Sequence, residues 1–276
     1  MSVQLRSRSN GGPILGLLLI TLLACTCSTV PLTGRRQLNL IPESQINSLS
    51  LQQYEEFLSA HELSRDREAT AMVRRVGRNI QQAVEQFYRE RGESEALNGY
   101  RWEFSLIEDD QVNAWCMPGG KVVVYTGLLP VAQDNAGLAV VVGHEVAHAI
   151  ARHGNERMSH GLVAQLGGLA LDKALENKPE ETRGLFMAAY GIGAQVGVLL
   201  PYSRLHESEA DHLGLIFMAM AGYDPRVAIS FWERMVAQKQ SAAPPEFLST
   251  HPADETRIRN MRELMPEAME YYRPGQ

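Results

Sequence analysis

Gly137-Leu138-Ala139-Val140-Val141-Val142-Gly143-His144-Glu145-Val146-Ala147-His148-Ala149-Ile150 is the stretch that decides how this chain is read. It contains no proline, its residues are small or apolar, and Asp134 or Asn135 can cap it, so it is expected to form a buried helix running to about His153. Side chains four residues apart share a helical face. His144 and His148 can therefore present two imidazoles to one Zn²⁺ at about 2.0–2.1 Å, with Glu145 aimed at a water that the metal activates. The alternative, two core histidines beside an exposed acid, would place a charge among Leu138, Val140, Val141, Val142, Val146 and Ile150. Burying an unpaired charge there costs several kcal/mol.

A catalytic zinc needs a third protein ligand. Downstream, His206-Glu207-Ser208-Glu209-Ala210-Asp211 falls in a predicted helix, with Glu207 and Asp211 on one face. Glu207 can bind the metal there while Asp211 accepts the second ring N–H of a ligand histidine and fixes its tautomer. Glu209 lies roughly 200° around the helix from Glu207 and reads as a solvated or structural acid. His153 is off the His144/His148 face by about 140° and reads as structural.

Working outward, the 276 residues carry 26 Lys plus Arg against 32 Asp plus Glu, a net charge of −6, which excludes a nucleic-acid binder. The composition is that of an ordinary globular protein. Helices are expected over 44–60, 66–91 (after a Ser64 cap), 161–175, 183–200, 204–221, 225–239 and 252–265. In 66–91, Met72, Val73, Val76, Ile80, Ala83, Val84 and Phe87 form one apolar stripe. The alternation Trp102-Phe104-Leu106 and the β-branched run 121–125 predict a small sheet beside the His144 helix, making the fold α+β and mostly helical. The 16 uncharged residues 185–200 fall short of the roughly 20 needed to span a bilayer and read as a buried helix.

The N-terminus reads as an address. Arg6 and Arg8 precede an apolar run, 14–23, that ends at Leu22-Leu23-Ala24-Cys25. These four residues resemble a bacterial lipobox, which implies cleavage before Cys25, acylation of that cysteine and, with Thr26 next, an outer-membrane destination in a Gram-negative host. A plain cleaved signal or a short anchor is the other reading, and all of them export the protein. Loss of 1–24 removes Arg6 and Arg8 and takes the charge from −6 to −8, so acyl chains rather than anionic lipid would hold the body at a membrane. Residues 25–43 read as a lipid-anchored tether and 44–276 as a single domain. After lipidation the remaining thiols are Cys27 and Cys116, and a bridge between them is left open.

Taken together, His144-Glu145-Val146-Ala147-His148, Glu207-Ser208-Glu209-Ala210-Asp211 and Ser249-Thr250-His251-Pro252 with Arg257-Ile258 resemble the HtpX-like and CAAX-prenyl-endopeptidase-like zinc metallopeptidases, in particular their small bacterial periplasmic lipoprotein branch. Asn113-Ala114-Trp115, Pro118-Gly119-Gly120 and Tyr125-Thr126-Gly127-Leu128-Leu129 are similar to that family's edge-strand segment. The resemblance implies a gluzincin fold, one zinc per chain held by His144, His148 and Glu207, Glu145 as general base, and Asp211 behind a ligand. It also implies that His251 either stabilises an oxyanion or fills the fourth metal position in a latent state; a simple helix start is its local alternative. Arg257 resembles a cleft arginine, or is a salt-bridge donor. Substrate would lie extended along the strand near Asn113–Met117, with Trp115 and Cys116 either lining the cleft or in the core. The chain ends at Gln276, so no helical-repeat domain is expected after it. The function expected is endopeptidase action on misfolded or misassembled envelope proteins; a non-hydrolytic, zinc-stabilised chaperone or binding lipoprotein is the rival, against which an intact Glu145 argues.

Overall fold

The computed structural model describes residues 27–195, 200–239, 245–252 and 254–274. The expected signal segment 1–24 and Cys25 lie outside them. Strands β1 (Cys27–Thr29) and β2 (Arg36–Leu38) come first, then helices α1 (Glu43–Ala60) and α2 (Arg67–Glu90). Next come β3 (Glu103–Ile107), β4 (Ala114–Met117), β5 (Lys121–Tyr125) and the single turn α3 (Leu129–Ala132). The rest is helical: α4 (Asn135–Ile150), α5 (His153–Ala174), α6 (Glu180–Ala194), α7 (Leu200–Met220), α8 (Val227–Lys239), the turn α9 (Phe247–Thr250) and α10 (Glu255–Tyr271).

The core forms between the α2 stripe, one face of the sheet and α4. Val73, Val76, Ile80, Val84 and Phe87 are fully buried against Leu106, Val122, Val124 and the apolar residues of α4. Asp66 caps α2 by accepting from Glu68 N and Ala69 N, not Ser64, because the helix begins at Arg67. The sheet has the order β3-β5-β4, parallel across β3/β5 and antiparallel across β5/β4, so β4 is an edge strand. Trp115 packs on Tyr54 and Phe57 on one side of the sheet, while its neighbours Ala114 and Cys116 join the main core on the other.

Three expectations are corrected. The stretch expected as an irregular tether forms an antiparallel β1–β2 hairpin, and Val30 in its connection is in the core. Helix α4 stops at Ile150 rather than His153, because Arg152 takes a left-handed conformation (φ 56°) and α5 starts afresh at His153. The apolar segment from Leu185 is not buried over its described part. Leu185 is 70% and Phe186 52% exposed, since α6 packs chiefly on α5, which itself leaves Leu166 and Leu169 outside. No helix among the described residues is long and apolar enough to cross a membrane.

Helices α4 and α7 pack backbone against backbone, and glycine permits it. A Cβ on Gly143 would lie 3.0 Å from the Gly214 carbonyl oxygen, and one on Gly214 would lie 3.0 Å from the His144 nitrogen. This approach sets the distance between the histidine helix and the acid helix.

Candidate metal centre

His144 and His148 leave α4 on one face, Glu207 comes from α7, and His251 follows the α9 turn. One donor atom from each converges on a common point, all within 4.8 Å of one another. His144 Nε2 is 3.1 Å from His148 Nε2, 3.2 Å from His251 Nδ1 and 3.3 Å from Glu207 Oε2. Glu207 Oε1 is 3.2 Å from His148 Nε2, and Glu207 Oε2 is 3.0 Å from His251 Nδ1. Spacings of 3.0–3.3 Å are those of donor atoms gathered about one small cation at about 2 Å, the Zn–N and Zn–O bond length. Lone pairs of several basic atoms facing one another in a buried site require a cation between them, so the donor set fits zinc.

Surrounding contacts fix the ligands. Asp211 Oδ1 accepts from His144 Nδ1 at 3.0 Å, leaving Nε2 for the metal. Arg257 forks onto Asp211 through Nη2 (2.7 Å to Oδ1) and Nε (2.8 Å to Oδ2), reaches Glu207 Oε2 at 3.2 Å, and donates to the Pro252 carbonyl at 3.2 Å. It also lies 3.6 Å over the Trp232 ring. Arg257 thus ties the His251 loop to the acid helix. Burial pushes the Asp211 carboxyl up, but the Arg257 charge and His144 overcome it and hold it low. For Glu207 too, burial is overcome, by His144, His148 and His251, and the carboxylate is held far below its usual range.

Glu145 sits beside the donor set but outside it. It is 4% exposed, and Oε1, 3.3 Å from His251 Nε2 yet without a hydrogen bond among the described residues, is an orphaned buried acceptor. Burial pushes its pKa up, against the pull of His251 and His144. A carboxyl tuned toward neutrality with one free oxygen is suited to moving a proton. A cleft of about 330 Å³ opens over it, lined on one wall by Asn113, Trp115 and Cys116 of the β4 edge and on the other by Glu145, His148 and His251. Cys116 is free.

Two residues read as structural belong to this neighbourhood. His148 Nδ1 is 2.9 Å from His153 Nδ1, and His153 Nε2 is 3.3 Å from Glu209 Oε2. With His148 Nε2 facing the metal, its Nδ1–H donates to His153, whose own proton then sits on Nε2 and points at Glu209. The angle from His148 to His153 failed to foresee this because the helix breaks at Arg152 between them. Glu209 faces away from the metal, as its spacing required, but it is buried rather than solvated. The alternation His206-Glu207-Ser208-Glu209 on a helix buried on both faces was the available signal.

This is the architecture and donor set of a zinc metallopeptidase, with HExxH on a core helix and the third ligand on a second. The chain belongs to peptidase family M48, which residues 75–265 match. It is 37% identical over 177 residues, 62% of this chain and 49% of the relative, to "Mitochondrial metalloendopeptidase OMA1" of Schizosaccharomyces pombe. With "Metalloendopeptidase OMA1, mitochondrial" of Homo sapiens it shares 30% over 260 residues, 92% of this chain and 49% of the relative. The "Beta-barrel assembly-enhancing protease" of Escherichia coli is 30% identical over 169 residues, 58% of this chain and 34% of that protein. The chain therefore spans about half the length of the first two and a third of the last.

Proposed function

We propose that the protein is a zinc endopeptidase of the small envelope-lipoprotein kind, exported, acylated at Cys25 and facing the periplasm from the outer membrane, where it cuts unfolded or misassembled envelope proteins. The observation that carries the reading is the orphaned Glu145 Oε1 beside a converging His144, His148, Glu207 and His251 set, open to the β4 edge. The apolar run ending at Cys25 supports the address. The E. coli relative's name, a protease that enhances β-barrel assembly, supports the substrate class.

Bound zinc supplies Lewis acidity and an acidified water at neutral pH. His144, His148 and Glu207 would hold the metal, and His251 would either be the fourth donor of a latent state or stabilise the developing oxyanion. The substrate backbone adds to β4, whose outer edge pairs with no strand among the described residues. Glu145 takes a proton at Oε1 and returns it to the leaving amine nitrogen.

The test is zinc content and casein digestion by wild type and Glu145→Gln. About one zinc per chain in both, with digestion reduced roughly 10²–10⁴-fold in the variant, is expected. Equal digestion overturns the mechanism; zinc in both and digestion in neither returns the binding-protein reading.

A further inference from the structure

The hairpin that precedes the family match does more than pack. Arg35, in the β1–β2 connection, donates through Nη1 and Nη2 to the two oxygens of Glu156 at 2.8 and 2.7 Å, and through Nε and Nη2 to Glu209 at 3.0 and 2.8 Å. Thr33 Oγ1 adds a bond to Glu209 Oε1 at 2.8 Å. Both acids lie within the family-matched region, on α5 and α7, and both are buried, yet the cation that answers them comes from outside it. Glu156 also accepts from His206 Nε2 at 2.8 Å, and His206 stacks on His153 with ring centroids 4.2 Å apart. His153 is therefore gripped on its Nε2 side and on its face by groups that Arg35 organises. Its Nδ1 meets the ligand His148.

We propose that Arg35 is a positioning residue for the metal site: by clamping Glu209 it holds His153, and through His153 the ring of His148, so that the docked N-terminal hairpin completes the support of the metal. The proposal rests on the zinc reading above. Without Arg35, Glu156 and Glu209 repel each other across a gap with no other arginine or lysine on either among the described residues, Glu209 turns out, and His148 loses the acceptor that fixes its tautomer. A contact 113 residues from the metal ligand in sequence would then be felt as metal affinity.

The experiment uses the full chain, loaded with Zn²⁺ for competition against a chelator and with Co²⁺ for the visible spectrum that reports ligand geometry. Arg35→Gln is expected to release zinc about tenfold more readily, at the low end for residues that support a ligand, and to alter the cobalt spectrum. Arg35→Lys, which keeps the charge but not the fork, should recover part of both. Ser159→Ala, which removes the acceptor of Leu40 N and loosens the same hairpin without touching the relay, should lower thermal stability and leave the spectrum alone. Should Arg35→Gln not fold, Arg35→Lys decides. Zinc affinity and cobalt spectrum equal to wild type in a folded Arg35 variant overturn the proposal. A wild type that binds no zinc overturns the metallopeptidase reading itself and is told apart by that.

Discussion

On one side of His148, Glu207 and Asp211 share one arginine, Arg257, with Glu145 beside them; on the other, Glu156 and Glu209 share Arg35. Both clusters are buried, both include histidines, and they meet on α7, from which the inner one reaches to α4 and α10 and the outer one to α5 and the hairpin. They differ in how charge is answered. In the outer cluster the guanidinium spreads over both carboxylates and each acid takes one histidine N–H besides. In the inner one Arg257 is spent mainly on Asp211, Glu145 keeps an unpartnered oxygen, and four donors point at one another. A cluster whose acids close on their own guanidinium is structural; one whose donors still converge on a common point beside its guanidinium asks for a metal.

The largest effect should come from removing one acid of each. Glu207→Ala should take bound zinc from about one per chain to near zero, whereas Glu209→Gln should retain it with at most about tenfold weaker affinity; metal analysis after dialysis checks both, and equal loss would erase the distinction. A second effect is in pH. Burial opposes ionisation of Glu156 and Glu209, but Arg35 with His206 at one and His153 with Arg35 at the other depress their pKa from 4.5 to about 2. Between those values the unfolded chain binds more protons than the folded one, so stability rises with pH there. The stabilisation is complete above about 4.5 and is lost as pH falls toward 2. Urea unfolding of Glu156→Gln/Glu209→Gln should show lower stability at pH 7 and a flattened dependence across that window; an unchanged slope would sever the acids from Arg35. The smallest effect is steric. Gly214→Ala must push α7 from α4 by a few tenths of an ångström, because backbone atoms of His144 face it at 3.0–3.1 Å. Zinc affinity should fall several-fold with secondary structure intact by circular dichroism.

The inner cluster was legible in the sequence where spacing governs: His144, Glu145 and His148 on one helix, Glu207 and Asp211 on another. His251 and Arg257 were legible only through family likeness, because they join the site by tertiary folding with no periodic relation to the ligands. The outer cluster was not legible. Strands of three residues carry no usable alternation, and Arg35 meets its acids across 121 and 174 residues. The helix boundary at Arg152 was missed for a local reason, a left-handed residue that is not glycine. The burial expected for 185–200 failed over 185–191 because hydropathy records composition and not whether a neighbour is there to cover it.

The stacking of His153 on His206 has one more consequence. The chain leaves the catalytic body at the start of α5 and returns to it in α7 at nearly the same place, 4.2 Å apart ring to ring. The described residues between run out along α5 and come back through α6 and α7, with the ends of the excursion pinned by the body. Because the contact that closes it is the His153–His206 stack and not anything farther out, beyond Ser159 this excursion can be lengthened, shortened or exchanged while His148 and Glu207 stay in register. It is a part of the molecule open to redesign.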